Sequence, residues 1–140
     1  MTRDARSSPD APRAVGPYSQ AVVSGDHVFL SGQTPIDPAT GALIDADVGG
    51  QTQRCFDNLA AVLTAAGLGF EDVVKVNVYL TSMDDFGEMN AVYAQQFTEP
   101  FPARTTVAVA ALPLGARIEI ELVARRILKS YAAGNPWQFG

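Results

Sequence analysis

The sequence predicts an α+β domain of about five to six strands and two helices. Two observations lead there. Apolar and polar residues alternate with period 2 through residues 74–80, 104–110 and 117–125, and shorter apolar stretches at 21–23 and 28–31 flank a Gly25-Asp26 turn. Apolar residues instead recur at helical spacing near residues 47–66 and again from Phe86 to Phe97. At 140 residues, with 47% hydrophobic and 18% charged, the chain is one domain with enough apolar material for a sizeable core. We expect a mobile polar segment at residues 1–12, a folded domain at 13–128 and a tail at 129–140.

Taken in order, Gly16-Pro17-Tyr18-Ser19-Gln20 leads into the first strand, and Ser24-Gly25-Asp26-His27 turns the chain back to make a hairpin. Gly32-Gln33-Thr34-Pro35 ends the return strand, and Asp37-Pro38-Ala39-Thr40-Gly41 is a further turn. Tyr18 and Ser31 stand at the two ends of this unit, beside glycines that let backbone approach closely. They are either hydroxyl donors to a ligand or a packed tyrosine and a turn serine. In the first helix Cys55, Leu59, Val62, Leu63 and Ala66 share one face, and Gly67 is a natural stop. Cys55, the lone cysteine, therefore reads as a buried structural thiol. After the strand at 74–80, Ser82-Met83-Asp84-Asp85 resembles a helix start. Phe86, Met89, Asn90, Tyr93 and Phe97 then form one helical stripe, which Pro100 ends. Asn90 on that inner face needs hydrogen-bond partners.

Glu99-Pro100-Phe101-Pro102-Ala103-Arg104 is an extended approach to the next strand. Period 2 places Thr105, Val107 and Val109 on one face, read as core, and Arg104, Thr106 and Ala108 on the other. A guanidinium above small residues suits a carboxylate, whose two oxygens match its fork. It could equally be a solvated strand-end arginine. If the last two strands pair antiparallel through the turn at Leu112-Pro113-Leu114-Gly115-Ala116, Arg104, Thr106, Glu119 and Glu121 come to one face. That layout, an anion clamp with a separate carboxylate, suits acid–base chemistry on a small acid, or else is a polar face with a loose ion pair.

Net charge is −5 and the pI is about 4.6, which argues against nucleic-acid binding and so against RNA cleavage. No apolar run approaches a membrane span and no signal-peptide pattern opens the chain, so a cytoplasmic protein is expected. The single histidine, His27, sits in a turn with no second His or Cys nearby, so no metal site is expected. No phosphate loop, nucleophile elbow or dinucleotide fingerprint occurs. What remains is an enzyme without metal, cofactor or nucleophile, or a binding protein for a small anion. In the tail, Trp137 and Phe139 follow a Gly134-Asn135-Pro136 turn, and we expect them to dock rather than stay in water.

Several of these pieces together resemble the reactive intermediate deaminase (Rid) family. They are Gly16-Pro17-Tyr18-Ser19-Gln20, Ser31-Gly32-Gln33, Asp37-Pro38-Ala39-Thr40-Gly41, Asn90 with Tyr93, Phe101-Pro102-Ala103-Arg104 and Ile118-Glu119-Ile120, in the family's order across residues 13–127. The resemblance implies a chorismate-mutase-like subunit with two helices on one face of the sheet, and a homotrimer with clefts between subunits. It implies hydrolysis of reactive 2-imino acids, such as 2-iminopropanoate or 2-iminobutanoate, to 2-oxo acids and ammonia, with no cofactor. Arg104 matches the residue that binds the substrate carboxylate, and Glu119 the acid that positions or activates water. Tyr18, Ser31, Gly32 and Asn90 match pocket positions. Thr106 stands where close relatives often carry cysteine, which bears on substrate preference.

Overall fold

The hairpin forms where the sequence places it. Gly25 takes a φ of 60°, in the left-handed region that favours glycine, and joins β2 (Ala21–Ser24) to β3 (His27–Gln33). The computed structural model describes residues 3–126. Within them β1 (Asp4–Arg6) adds to the outer edge of β2, in antiparallel register with Asp4 opposite Val23. The sequence reading places no strand there, only a mobile polar segment. Three residues of edge strand leave no periodicity to read, and the backbone pairing comes from β2. The expected tail at 129–140, including Trp137 and Phe139, lies outside the described residues.

Helix α1 (Val48–Ala65) starts where Asp47 accepts the Gly50 N–H at 2.9 Å, and the chain leaves it through Gly67 at a φ of 77°. Its apolar face buries Phe56, Leu59, Val62 and Leu63 completely against the sheet, each worth about 1.5–3 kcal/mol relative to exposure. A 3-10 turn capped by Ser82 precedes α2 (Phe86–Ala94). This helix ends earlier than the sequence suggests, at Ala94 rather than against Pro100. Phe97 is nonetheless buried, 5.1 Å from Tyr93 and 5.8 Å from Phe56 between ring centroids. The turn after Ala94 thus delivers it to the aromatic cluster without helical continuity. No helix of the described residues is long and apolar enough to cross a membrane.

The sheet order is β1-β2-β3-β6-β4-β5, with both helices against one face. Here the expected pairing of the last two strands is corrected. Strand β5 (Ala103–Ala108) does not pair with β6 (Ile118–Arg125); it runs parallel to β4 (Val73–Leu80) at the sheet edge, and β4 lies between the two. A helical crossover through α2 is what permits the parallel pair. The assignment of faces on β5 reverses with it. Arg104, Thr106 and Ala108 oppose Val76, Val78 and Leu80, which are fully buried, so they face the helices. Val107 lies on the open face, 40% exposed. On an edge strand, the more apolar alternate set is no guide to the inner side.

Candidate active site

Arg104 leaves β5 on the side that α2 occupies. Phe86, Asn90 and Tyr93 of that helix fall at i, i+4 and i+7, one stripe, and all three meet the guanidinium. Nη1 donates to Asn90 Oδ1 at 2.7 Å, and Cζ lies 4.6 Å from the Tyr93 ring centroid and 5.4 Å from that of Phe86. Among the described residues Arg104 has no carboxylate partner. Beside it opens a cleft of about 410 Å³ lined by Asn90, Tyr93, Ala94, Phe101, Pro102 and Arg104. A half-buried guanidinium with N–H groups to spare has the chemistry to receive an anion. Thr106, the next residue on that face, keeps its Oγ1 buried with no partner among the described residues, as does Tyr93 Oη.

Glu119 stands on the open face, opposite Tyr79 of β4. It is half-buried, and its carboxyl is held above the usual carboxylate range, first by burial and second by the charge of Glu121. A bulge in β3 makes room for it. Pairing of β3 with β6 slips between Leu30 and Gln33, so Ser31 and Gly32 fall out of register. A methyl group built on Gly32 would overlap Glu119 Oε2 and stand 3.0 Å from Cδ and 3.1 Å from Cγ. The carboxylate rests against bare backbone. Glu121 is itself pinned, accepting from the Tyr79 hydroxyl and from Asn77 Nδ2 at 3.2 Å. The bond to Glu121, more than burial, pushes the Tyr79 phenol up to about 12.

The remaining expected site residues gather around Gly32. Ser31 Oγ donates to Ser19 O at 2.6 Å, so its hydroxyl proton is committed to the backbone. Tyr18 is half exposed, accepts weakly from Val15 N–H at 3.4 Å, and lines with Gly32 and Thr34 a second cleft of about 440 Å³. Two groups result: Arg104, Asn90 and Thr106 on the helix side, and Tyr18, Ser31, Gly32 and Glu119 at the β3 bulge. Arg104 and Glu119 do not share a face. They lie on opposite sides of the sheet with β4 between their strands, which corrects the juxtaposition expected from antiparallel pairing.

Residues 8–126 match the family model described as endoribonuclease L-PSP, the RidA family. The chain belongs to the RidA family. A human relative named 2-iminobutanoate/2-iminopropanoate deaminase is 44% identical over 124 residues, 89% of this chain and 90% of that protein. The solved structure of RidA from the Antarctic bacterium Psychrobacter superposes with a TM-score of 0.84 at 44% identity, covering 88% of this chain and 99% of that one. That of Escherichia coli TdcF with bound serine gives 0.84 at 41%, covering 89% and 99%. The RidA-like α+β sheet with two helices is thereby shown, as the sequence predicts.

In this RidA-family chain, sequence reading missed Phe86 and Tyr93 as neighbours of Arg104, and Asn77 and Tyr79 as the anchors of Glu121. The first pair was legible in part: a polar Asn90 centred in an aromatic stripe requires a polar partner, which a pure core stripe does not. The second pair needed the β4–β6 register. Cys55 is buried as expected, its thiol pushed well up by burial above all, so it stays a thiol rather than a nucleophilic thiolate.

Proposed function

We propose that this chain hydrolyses 2-imino acids of the 2-iminopropanoate and 2-iminobutanoate type to 2-oxo acids and ammonia. Its RidA membership and the deaminase relative support a deaminase role; the residue roles rest on the geometry. The observation that carries them is Arg104, a half-buried guanidinium opening on a cleft with no carboxylate partner among the described residues. It holds the substrate carboxylate through two N–H groups while Asn90 fixes its angle. The imine carbon is already electrophilic, so no nucleophilic side chain is needed. Glu119, aided by Tyr18, positions a water and takes its proton as the C–O bond forms. The same carboxyl passes that proton to the amino nitrogen of the adduct of the protonated imine, then takes the adduct's hydroxyl proton as the C–N bond breaks, leaving the 2-oxo acid and ammonia. Its raised pKa suits a group that must both accept and release a proton.

Arg104 and Glu119 face away from each other within one chain, so a complete site needs a second copy. The helix-side cleft of one subunit then meets the β3 bulge of its neighbour, repeated around a homotrimer. This assembly would also cover Phe29, Val74 and Val107, apolar side chains exposed on the sheet. The test is in-situ generation of the imine with oxo-acid release followed above background. Arg104→Ala removes a charge pair worth about 2–5 kcal/mol, so activity falls roughly 30- to 5,000-fold. Glu119→Gln keeps ligand binding and loses turnover. Co-expressing these two inactive variants restores about a quarter of wild-type activity, because random mixing gives that fraction of interfaces an intact Arg104 and an intact Glu119. Wild-type activity no greater than background on any carboxylated imine overturns the enzyme reading. No recovery on mixing overturns the shared site.

A further inference from the structure

We infer that Tyr93 is a positioning residue for Arg104, its ring holding the guanidinium against α2 so that the free edge meets a carboxylate. The inference rests on the reading of Arg104 as the carboxylate clamp. A half-buried cation without an anionic partner is unfavourable unless other groups stabilise it. Here three do: the Asn90 carbonyl at 2.7 Å, the Tyr93 ring at 4.6 Å and the Phe86 ring at 5.4 Å. None carries a formal charge. A carboxylate in their place would neutralise the guanidinium and compete with substrate. A ring quadrupole attracts the cation and leaves its N–H edge unoccupied.

Tyr93 is the ring best placed for this. It is 5% exposed and rooted in the core, 5.8 Å from Phe56 and 5.1 Å from Phe97, and Phe56 in turn stands edge-on to Phe70. The guanidinium thus rests on the end of a packed aromatic cluster, not on a mobile surface side chain. Its hydroxyl has no hydrogen-bond partner among the described residues. Within the subunit the ring meets Arg104 through its face, not through its oxygen. Tyr93→Phe is therefore expected to behave as wild type, while Tyr93→Leu loses the quadrupole.

The readout is binding of 2-oxobutanoate, a product of the proposed reaction, by calorimetry on the intact protein. Tyr93→Leu weakens it roughly 5- to 30-fold, and Tyr93→Phe restores it to within about twofold of wild type. Because Tyr93→Leu also disturbs packing, a second series decides the case: phenylalanines of increasing ring fluorination at position 93 change shape little but drain the ring's negative face. Affinity that falls stepwise with fluorination, at constant melting temperature, supports the inference. Affinity indifferent to fluorination, or Tyr93→Leu binding as wild type while Arg104→Ala binds nothing, overturns it. If Arg104→Ala itself binds 2-oxobutanoate normally, the clamp reading fails instead, and the inference with it.

Discussion

Gly32→Ala separates the placement of Glu119 from the stability of the sheet. Gly32 does not occupy the left-handed region, so alanine is permitted by its backbone. What alanine meets is one side chain: its methyl would overlap Glu119 Oε2 and press on Cδ at 3.0 Å and Cγ at 3.1 Å. A carboxylate at the end of two flexible torsions yields before the strand does. The price is an off-rotamer Glu119, about 0.5–1.5 kcal/mol, below the roughly 1–3 kcal/mol of overpacking a rigid core. A displacement on the order of 1 Å costs about 100-fold in turnover if Glu119 handles the water. The assay follows oxo-acid release from in-situ imine, with 2-oxobutanoate affinity and denaturant unfolding measured in parallel. We expect kcat to fall about 100-fold, affinity to hold, and stability to drop by less than about 1.5 kcal/mol. In a Glu119→Gln background the same substitution should cost little more, since the group it displaces no longer transfers a proton. Wild-type turnover in Gly32→Ala, or full additivity of the two losses, would refute the placement of Glu119 as the water-handling group.

Other outcomes follow from the same geometry. The Glu119 carboxyl is raised by burial and by Glu121, so as a base it fails when pH drops through that raised value. Glu121→Gln removes one cause and should move the acid limb of kcat/KM to lower pH, while tyrosinate titration shows Tyr79 falling from about 12. For stability the sign is opposite to that of a salt-bridged acid. The folded state binds the Glu119 proton more tightly than the unfolded chain, so this residue costs stability as pH rises through its folded pKa, and Glu119→Gln should melt higher at neutral pH. Asn58 is fully buried, donating to Ile36 O at 2.9 Å and Thr34 O at 3.3 Å, and so holds the loop that walls the Tyr18 cleft. Asn58→Ala strands the Ile36 carbonyl, while Thr34 O keeps the Ile36 N–H at 2.8 Å, and should cost about 1–3 kcal/mol by urea unfolding.

Local chemistry determined much of this protein. The Gly25 turn, the Gly67 stop and the burial of Cys55 each depend on a few neighbouring residues whose conformational preferences agree, so they could be read from the sequence. The candidate site residues were nameable from the sequence because their motifs are specific in combination. Their arrangement was not. Alternation along β5 fixes which residues share a face but not which face is covered, and Thr105, Val107 and Val109 suggested the wrong one. That choice is made by β4, whose buried Val76 and Val78 oppose Arg104 and Thr106, and by α2, which brings Asn90 and Tyr93 over them. The pairing of β5 with β4 rather than β6 is a contact between strands 30 residues apart for Lys75 and Thr105, and no local preference encodes it. Only the tertiary structure therefore decided that Arg104 and Glu119 lie on opposite sides of one sheet, because side follows from which strand a neighbour pairs with, not from the neighbour's own sequence.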